Sequence, residues 1–298
     1  MNLLVTGAFG WTEQELNHLR SLGHRVVFMQ QERDSLPCEA AWVQGVIGNG
    51  IFLYHPIESF TSLRFIQLTS AGFDRVPMEY VQAHHVSIFN ARGVYSIPMA
   101  EFAIGGVLQL YKQSSFFHDN QRGHRWEKHR GLLELYRKDV CIVGCGSVGN
   151  ECAKRFRSFG CHVIGVDVKP YRHEAYDAML PLEELNDALQ KADVTVLTLP
   201  LTDETRRLID AERLAVMKEG AVLVNIARGA IVDTDALVEA LRTRLGGAVL
   251  DVFDNEPLSE DSMLWELDNV VLTPHNSFVG DGNHDRMLEV IMNNLEGM

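Results

Sequence analysis

Asp139-Val140-Cys141-Ile142-Val143-Gly144-Cys145-Gly146-Ser147-Val148-Gly149 decides how this chain folds. Its first five residues are short, apolar and β-branched, as a buried parallel strand requires, and a helical pattern begins directly after them. Each glycine then has a separate task. Gly144 permits a tight turn, Gly146 lets the backbone approach a pyrophosphate with no Cβ in the way, and Gly149 allows the following helix, Ser147 to Phe159, to pack closely on the strand. Exposed N–H groups at the start of that helix, with its dipole behind them, suit a doubly charged pyrophosphate. A second strand, His162 to Val168, places Asp167 eighteen residues beyond Gly149, where a carboxylate accepts hydrogen bonds from ribose hydroxyls. Such an acid favours NAD over NADP because it repels a 2′-phosphate. Lys169 and Arg172, just beyond it, are read as solvated surface residues.

Working outward, strand and helix keep alternating. Asp193 to Leu197, Ala221 to Ile226, Gly247 to Val252 and Asn269 to Leu272 are four further apolar runs, separated by helical segments such as Asp233 to Arg244. With the first two they make six strands, the number of a doubly wound dinucleotide fold. Roughly 140 residues precede the glycine turn, enough for a domain of their own. In them Leu3 to Thr6, Arg25 to Phe28, Val46 to Ile47, Arg64 to Leu68 and Val86 to Phe89 read as five strands, with helical intervals at Glu13 to Leu22 and Met78 to Ala83. An amphipathic stretch, Pro98 to Gln113, is expected to cross between the domains. The charged segment His118 to Arg130 is expected to be a solvated loop or an arm that packs on another subunit, and Trp126 inside it favours the arm.

At 298 residues the chain is long for one core and comfortable as two domains, expected at residues 1–95 completed by 277–298, and at residues 96–276. The balance of 27 basic against 40 acidic residues, net −13, argues against nucleic acid and anionic membrane surfaces as partners. No apolar run reaches the length of a membrane span, and MNLLVTGAFG lacks the basic segment that opens a secretory signal. Cys38, Cys141, Cys145, Cys152 and Cys161 contain no C-x-x-C pair and read as small buried hydrophobes, not as a metal site. A cytoplasmic setting is expected.

Three residues follow late strands, where ligands of open parallel sheets bind. Arg228 lies in Asn225-Ile226-Ala227-Arg228-Gly229, Glu256 in Leu250-Asp251-Val252-Phe253-Asp254-Asn255-Glu256-Pro257, and His275 in Leu272-Thr273-Pro274-His275-Asn276-Ser277. Arginine offers a planar fork that matches a carboxylate. Histidine exchanges protons near neutrality, and a carboxylate beside it orients the ring and favours the imidazolium that a proton donor needs. Taken singly each has a structural reading, as an ion-pair partner, a cap before Pro257 and a loop histidine. Their joint placement after a coenzyme turn points to chemistry.

These segments, continued as Ala230-Ile231-Val232-Asp233 after Gly229, resemble the three successive motifs of the D-isomer-specific 2-hydroxyacid dehydrogenases and come in that family's order. Ser70-Ala71-Gly72-Phe73-Asp74 resembles the family's substrate-carboxylate loop, and Leu199-Pro200-Leu201-Thr202-Asp203-Glu204-Thr205-Arg206 its coenzyme-edge loop. The resemblance covers nearly the whole chain. It implies an α/β protein: a doubly wound Rossmann NAD-binding domain plus a smaller flavodoxin-like α/β substrate domain. It further implies that Arg228 binds the carboxylate and carbonyl oxygen of a 2-oxo acid, that His275 donates the proton, and that Glu256 holds His275. Coenzyme contacts are expected from Gly144, Gly146, Ser147, Val148, Gly149, Asp167, Leu199, Pro200, Thr205, Ile226, Ala227 and Asp251. Substrate contacts are expected from Asn49, Ala71 and Gly72 besides Arg228 and His275.

The implied activity is an NAD-dependent 2-oxo acid reductase with a small-molecule substrate, and the charged arm with the Pro98 helix leads to the expectation of a homodimer. The chain departs from the family pattern at Leu135-Tyr136-Arg137-Lys138-Asp139, which lacks a glycine before the lysine, and at Asn276-Ser277-Phe278, where small residues are common. It ends soon after Glu296, unlike the long regulated phosphoglycerate dehydrogenases. Position in the family pattern makes Asn49, Ile51, Phe52, Tyr54, Met99 and Phe278 candidate pocket walls. They include no cation for a substrate phosphate, so glyoxylate, hydroxypyruvate or an aliphatic or aromatic oxo acid is expected. Two other readings stand beside this one: an NADH-sensing scaffold of the corepressor kind, and a dehydrogenase of formate, disfavoured by Glu256 where that branch carries glutamine, or of phosphite.

Overall fold

Parallel pairing needs long crossover connections, which the helical intervals supply, and the computed structural model, which describes residues 1–297, contains two fully parallel sheets. The chain divides into two units, Met1–Val94 with Gly280–Met298, and Tyr95–Val279.

The first unit runs β1 (Asn2–Thr6), α1 (Glu13–Ser21), β2 (Arg25–Met29), β3 (Gly45–Gly48), β4 (Phe65–Leu68), α2 (Met78–Ala83) and β5 (Ser87–Phe89). Its sheet order is β2-β1-β3-β4-β5, the flavodoxin-like arrangement with its switch point between β1 and β3. Strands β3 and β4 are buried at every position, so they carry Val46, Ile47, Phe65 and Ile66 with no polar alternation. Helix α1 starts where Thr12 and Glu15 form a capping box.

The second unit begins with α3 (Ser96–Tyr111) and α4 (Ser114–Arg122), then follows β6 (Asp139–Val143), α5 (Ser147–Ser158), β7 (His162–Asp167), β8 (Ala178–Pro181), α6 (Leu185–Lys191), β9 (Val194–Leu197), α7 (Ala211–Val216), β10 (Val222–Asn225), α8 (Thr234–Thr243), β11 (Gly247–Leu250) and β12 (Val270–Leu272). The order β12-β11-β10-β9-β6-β7-β8 is the doubly wound one with an added strand. Alternate residues of each strand feed two cores. Val140, Ile142, Val163, Val196, Val224 and Val249 meet the apolar faces of α3 and α5. Val143, Val166, Leu197, Leu223 and Leu250 meet α6, α7 and α8. Helix α5 shows why it faces inward: Gly149, Cys152, Ala153 and Phe156 recur at helical spacing and are its buried positions. Finally α9 (Asn283–Glu296) returns to the first unit, where Asn294 Nδ2 donates to Gln67 Oε1 (2.7 Å), satisfying a fully buried amide on β4.

Three expectations change. The second sheet has seven strands, not six, because Ala178–Pro181 pairs with β7. Part of the charged segment expected as loop or arm is helical, since α4 extends to Arg122. Residues 95 and 277–279, expected with the first unit, fall in the second, where Ser277 N–H donates to the Asp251 carboxylate (2.9 Å). Trp126 is 99% exposed and so buries against nothing in its own chain. Among the described residues no helix is long and apolar enough to cross a membrane. All five cysteines are free; burial pushes the thiols of Cys145 and Cys161 up to about 11 and that of Cys152 to about 12, so they remain protonated packing groups at neutral pH.

Candidate active site

Where β6 meets α5, at the switch point between β6 and β9, the three glycines are distinguished by what surrounds them. A Cβ at Gly149 would stand 2.2 Å from the Gly144 carbonyl oxygen, so this position must be glycine for the helix to approach the turn. A Cβ on Gly144, whose φ is +94°, would strike the Leu199 backbone at 2.6 Å. Gly146 differs, because a Cβ there would meet no protein atom within 4 Å. Protein packing therefore does not demand a glycine at 146. That space is open to a ligand, and the N-terminus of α5 has no side-chain cap to occupy its N–H groups. Asp167 closes the same turn: Oδ2 accepts from Cys145 N–H (2.8 Å) and Oδ1 from Lys169 N–H (3.0 Å), leaving lone pairs for ribose hydroxyls. These residues fit a dinucleotide: Gly146, Ser147 and Val148 would receive its pyrophosphate and Asp167 its ribose.

The other coenzyme-edge candidates occupy the adjoining strand ends. Leu199 is buried and Pro200 exposed after β9; Thr205 Oγ1 accepts from Thr202 N–H (2.7 Å) and donates to the Pro200 carbonyl (2.8 Å), so it staples that loop. Ile226 and Ala227 are buried after β10.

Arg228, Glu256 and His275 follow three strands that are direct neighbours, with Asn225, Leu250 and Leu272 in register. All three therefore emerge from one edge of one sheet. His275 Nδ1 donates to Glu256 Oε2 (2.9 Å), while Glu256 Oε1 accepts from Phe253 N–H (3.0 Å). The ring orientation is thereby set, and Nε2 is the nitrogen without a protein partner among the described residues. Arg228 is exposed; one Nη donates to the Ala227 carbonyl (2.7 Å), and the rest of the fork has no protein partner among the described residues. Gly229 lets this loop touch its neighbour, since a Cβ would lie 1.9 Å from the Phe253 carbonyl carbon.

Two buried side chains hold these loops. Asn225, 1% exposed, donates from Nδ2 to the Arg228 carbonyl (2.9 Å) and accepts the Ala227 N–H at Oδ1 (3.1 Å). Asp251, 0% exposed, accepts Thr273 Oγ1–H (2.6 Å) and Asn276 N–H (2.8 Å) at Oδ1 and Ser277 N–H (2.9 Å) at Oδ2, and its carbonyl accepts the His275 N–H (2.8 Å). That grip sustains a left-handed backbone at His275, φ +51°, which a non-glycine residue adopts only under local constraint.

In sequence, the D-isomer specific 2-hydroxyacid dehydrogenase NAD-binding domain matches residues 104–277. The chain belongs to the D-isomer-specific 2-hydroxyacid dehydrogenase family. A glyoxylate reductase of Thermofilum pendens is 34% identical over 248 residues, covering 80% of this chain and 73% of that one. A D-isomer specific 2-hydroxyacid dehydrogenase family protein from Aeromonas salmonicida superposes with a TM-score of 0.81 at 29% identity, over 99% of this chain and 94% of that one. A D-isomer specific 2-hydroxyacid dehydrogenase of Xanthobacter autotrophicus Py2, solved with NADPH and MES, gives 0.78 at 28% identity, over 98% and 93%.

In the first unit of this 2-hydroxyacid dehydrogenase, Asn49 N–H donates to Glu32 Oε1 (2.7 Å), and the Ala71 carbonyl accepts from Asn90 Nδ2 (2.6 Å). The N–H groups of Ala71 and Gly72 have no protein partner among the described residues. Among the expected walls, Ile51 is 2% exposed and Phe52 packs edge-on against Phe60 (5.7 Å), so both belong to the core of that unit. A short helical turn over Ile51–Leu53 rotates them inward. Two residues at the dehydrogenase's sites went unnoticed in the sequence. Asn225 could have been flagged as a polar residue ending the apolar run Val222-Leu223-Val224. Tyr171, whose hydroxyl donates to the Cys145 carbonyl of the glycine turn (2.6 Å), carries no comparable signal.

Proposed function

We propose that the protein reduces small 2-oxo acids to D-2-hydroxy acids with NADH, the unit Tyr95–Val279 binding coenzyme and the unit Met1–Val94 with Gly280–Met298 binding substrate. The observation that carries this reading is the His275–Glu256 pair, 2.9 Å apart, next to Arg228 on adjacent strand ends of a dinucleotide-binding sheet. When bound, the nicotinamide coenzyme supplies the hydride. Arg228 binds the substrate carboxylate and carbonyl oxygen through its fork. His275 delivers the proton from Nε2 to that oxygen, and Glu256 fixes the ring and stabilises the imidazolium before transfer. In the reverse direction His275 takes the hydroxyl proton. From the first unit we assign substrate contacts to Asn49, Ala71 and Gly72, whose open N–H groups at 71 and 72 suit a carboxylate.

Asp167 supports NAD over NADP, although the Xanthobacter autotrophicus relative was solved with NADPH. Glyoxylate is a first substrate to try because a relative at 34% identity is a glyoxylate reductase. Exposed Trp126, Phe117, Leu132 and Leu133 support a homodimer, which light scattering tests directly. The unpaired cysteines support a reducing, cytoplasmic setting.

The test is oxidation of NADH and NADPH against a panel of 2-oxo acids with Arg228→Lys beside the parent. Lysine keeps the charge and loses the fork, so kcat/KM is expected to fall by about 10²-fold or more. An Arg228→Lys variant as active as the parent overturns the role of Arg228. Coenzyme binding with no turnover on any acid overturns the reductase and leaves the scaffold.

A further inference from the structure

We propose that Tyr171 is a positioning residue for the coenzyme: its hydroxyl fixes the plane of the Cys145–Gly146 peptide and so aims the Gly146 N–H at the pyrophosphate. This rests on the glycine turn being the coenzyme site. Tyr171 lies on the segment between β7 and β8, four residues beyond Asp167. Its hydroxyl stands 2.6 Å from the Cys145 carbonyl oxygen, and Asn150 Oδ1, on the first turn of α5, stands 2.9 Å from the hydroxyls of both Tyr171 and Tyr176. A phenol has one proton to give. Tyr171 gives it to the nearer Cys145 carbonyl, while Tyr176 supplies Asn150. The Asn150 N–H in turn donates to the Gly146 carbonyl (2.9 Å).

The Cys145–Gly146 plane needs such a tether. Turning it over changes ψ of Cys145 and φ of Gly146, and a glycine accepts either sign of φ. No protein atom lies within 4 Å of a Cβ position at Gly146, so nothing packed there opposes the rotation. In a trans peptide the carbonyl and the following N–H point in opposite directions. Holding the Cys145 oxygen towards Tyr171 therefore turns the Gly146 N–H away from Tyr171, and that N–H has no protein partner among the described residues. A donor on the carbonyl also polarises the peptide and strengthens its N–H. The preceding plane is tethered separately, because the Cys145 N–H donates to the Asp167 carboxylate (2.8 Å). One short segment thus sets both peptides of the turn, Asp167 the first and Tyr171 the second.

The experiment uses Tyr171→Phe, which keeps the ring and removes the hydroxyl, with Tyr171→Ala beside it. NADH affinity is read by fluorescence titration, and the Gly146 amide by NMR of coenzyme-free, ¹⁵N-glycine-labelled protein, its signal identified by its loss in Gly146→Ala. In Tyr171→Phe the NADH Kd is expected to rise about 3- to 10-fold, the worth of one neutral hydrogen bond. At saturating NADH, kcat and the KM for glyoxylate are expected to stay within about twofold of the parent, since the oxo acid does not meet this peptide. The Gly146 signal is expected to shift or broaden before any coenzyme is added. Unchanged NADH affinity or an unmoved Gly146 signal in Tyr171→Phe overturns the assignment and leaves the reductase intact. So does a loss confined to Tyr171→Ala, which would give the role to the ring. A parent protein that does not bind NADH overturns the coenzyme site and this inference with it.

Discussion

The two sheets end in comparable turns but fill them differently. At the β1/β3 switch point of the first unit, the N–H groups of Asn49 and Gly50 and the hydroxyl of Thr6 converge on an anion, and that anion is the protein's own Glu32 carboxylate, at 2.7, 2.7 and 2.8 Å. At the β6/β9 switch point of the second unit, no side chain caps α5, and Gly146 has no protein atom within 4 Å of where a Cβ would be. Both places obey the rule that parallel sheets gather ligands at strand ends. One is satisfied internally and gives a fixed loop carrying Asn49; the other is left open, as the proposed binding of a dianionic coenzyme requires. A strand-end turn is thus a binding site only where the chain declines to fill it.

The largest effect that sharpens this contrast is expected at neither turn but at the β12 end. His275→Ala should lower kcat by about 10²- to 10⁴-fold, the usual worth of a positioned acid. NADH affinity, read by fluorescence titration, should stay within about threefold because the glycine turn is untouched. Equal loss of coenzyme binding would show that His275 serves the coenzyme side of the site and not proton transfer.

The glycine turn is separated from folding by a pair of variants. Gly146→Ala adds a methyl where the protein has open space, so stability should stay within about 0.5 kcal/mol while NADH affinity drops by about 10-fold or more. Gly149→Ala puts the same methyl 2.2 Å from the Gly144 carbonyl and should destabilise the fold by about 1–3 kcal/mol. Urea unfolding alongside NADH titration distinguishes them. A Gly146→Ala variant that binds NADH normally would remove the pyrophosphate from this turn.

The filled turn makes the opposite prediction. In Glu32→Gln the new amide can face Asn49 and Thr6 with its oxygen, but its NH₂ then opposes the Gly50 N–H. Loss of about 1–3 kcal/mol is expected, the cost of an unsatisfied donor. NADH affinity should not change, since the turn lies in the other unit. A neutral effect on stability would mean that the cradle is hydrated and not closed by Glu32.

Much of this could be read from the residues alone. Arg228, Glu256 and His275 stood out because each follows an apolar strand, and the glycine turn because strand, helix and terminal acid surround it. What stayed hidden depends on partners distant in sequence. Ala178-Met179-Leu180-Pro181 neither alternates nor is β-branched, and it becomes a strand only because β7 offers an edge. Glu32 sits in the polar run Gln30-Gln31-Glu32-Arg33-Asp34, which looks like a solvated loop; its role appears once β1 and β3 bring Thr6 and Asn49 to it. The hold of Asp251 on residues 273–277 likewise exists only because β11 and β12 are neighbours.

The smallest expected effect probes the other carboxylate of the first unit that is held by designed contacts. Burial alone would raise the Glu15 carboxyl, but hydrogen bonds from the Thr12 N–H and from His284 Nε2 (2.6 Å), with further help from the Thr12 hydroxyl and the His284 charge, outweigh it and hold it below the usual carboxylate range. A lowered folded-state value means that the ionised form is the one the fold prefers. The contribution is therefore complete above the ordinary glutamate value of about 4.3 and is lost as pH falls through the lowered value. Glu15→Gln should lower the urea midpoint at pH 6 slightly, and parent and variant should converge as pH falls towards 3. Curves that stay parallel down to pH 3 would show that the difference does not come from the ionised carboxylate beside His284.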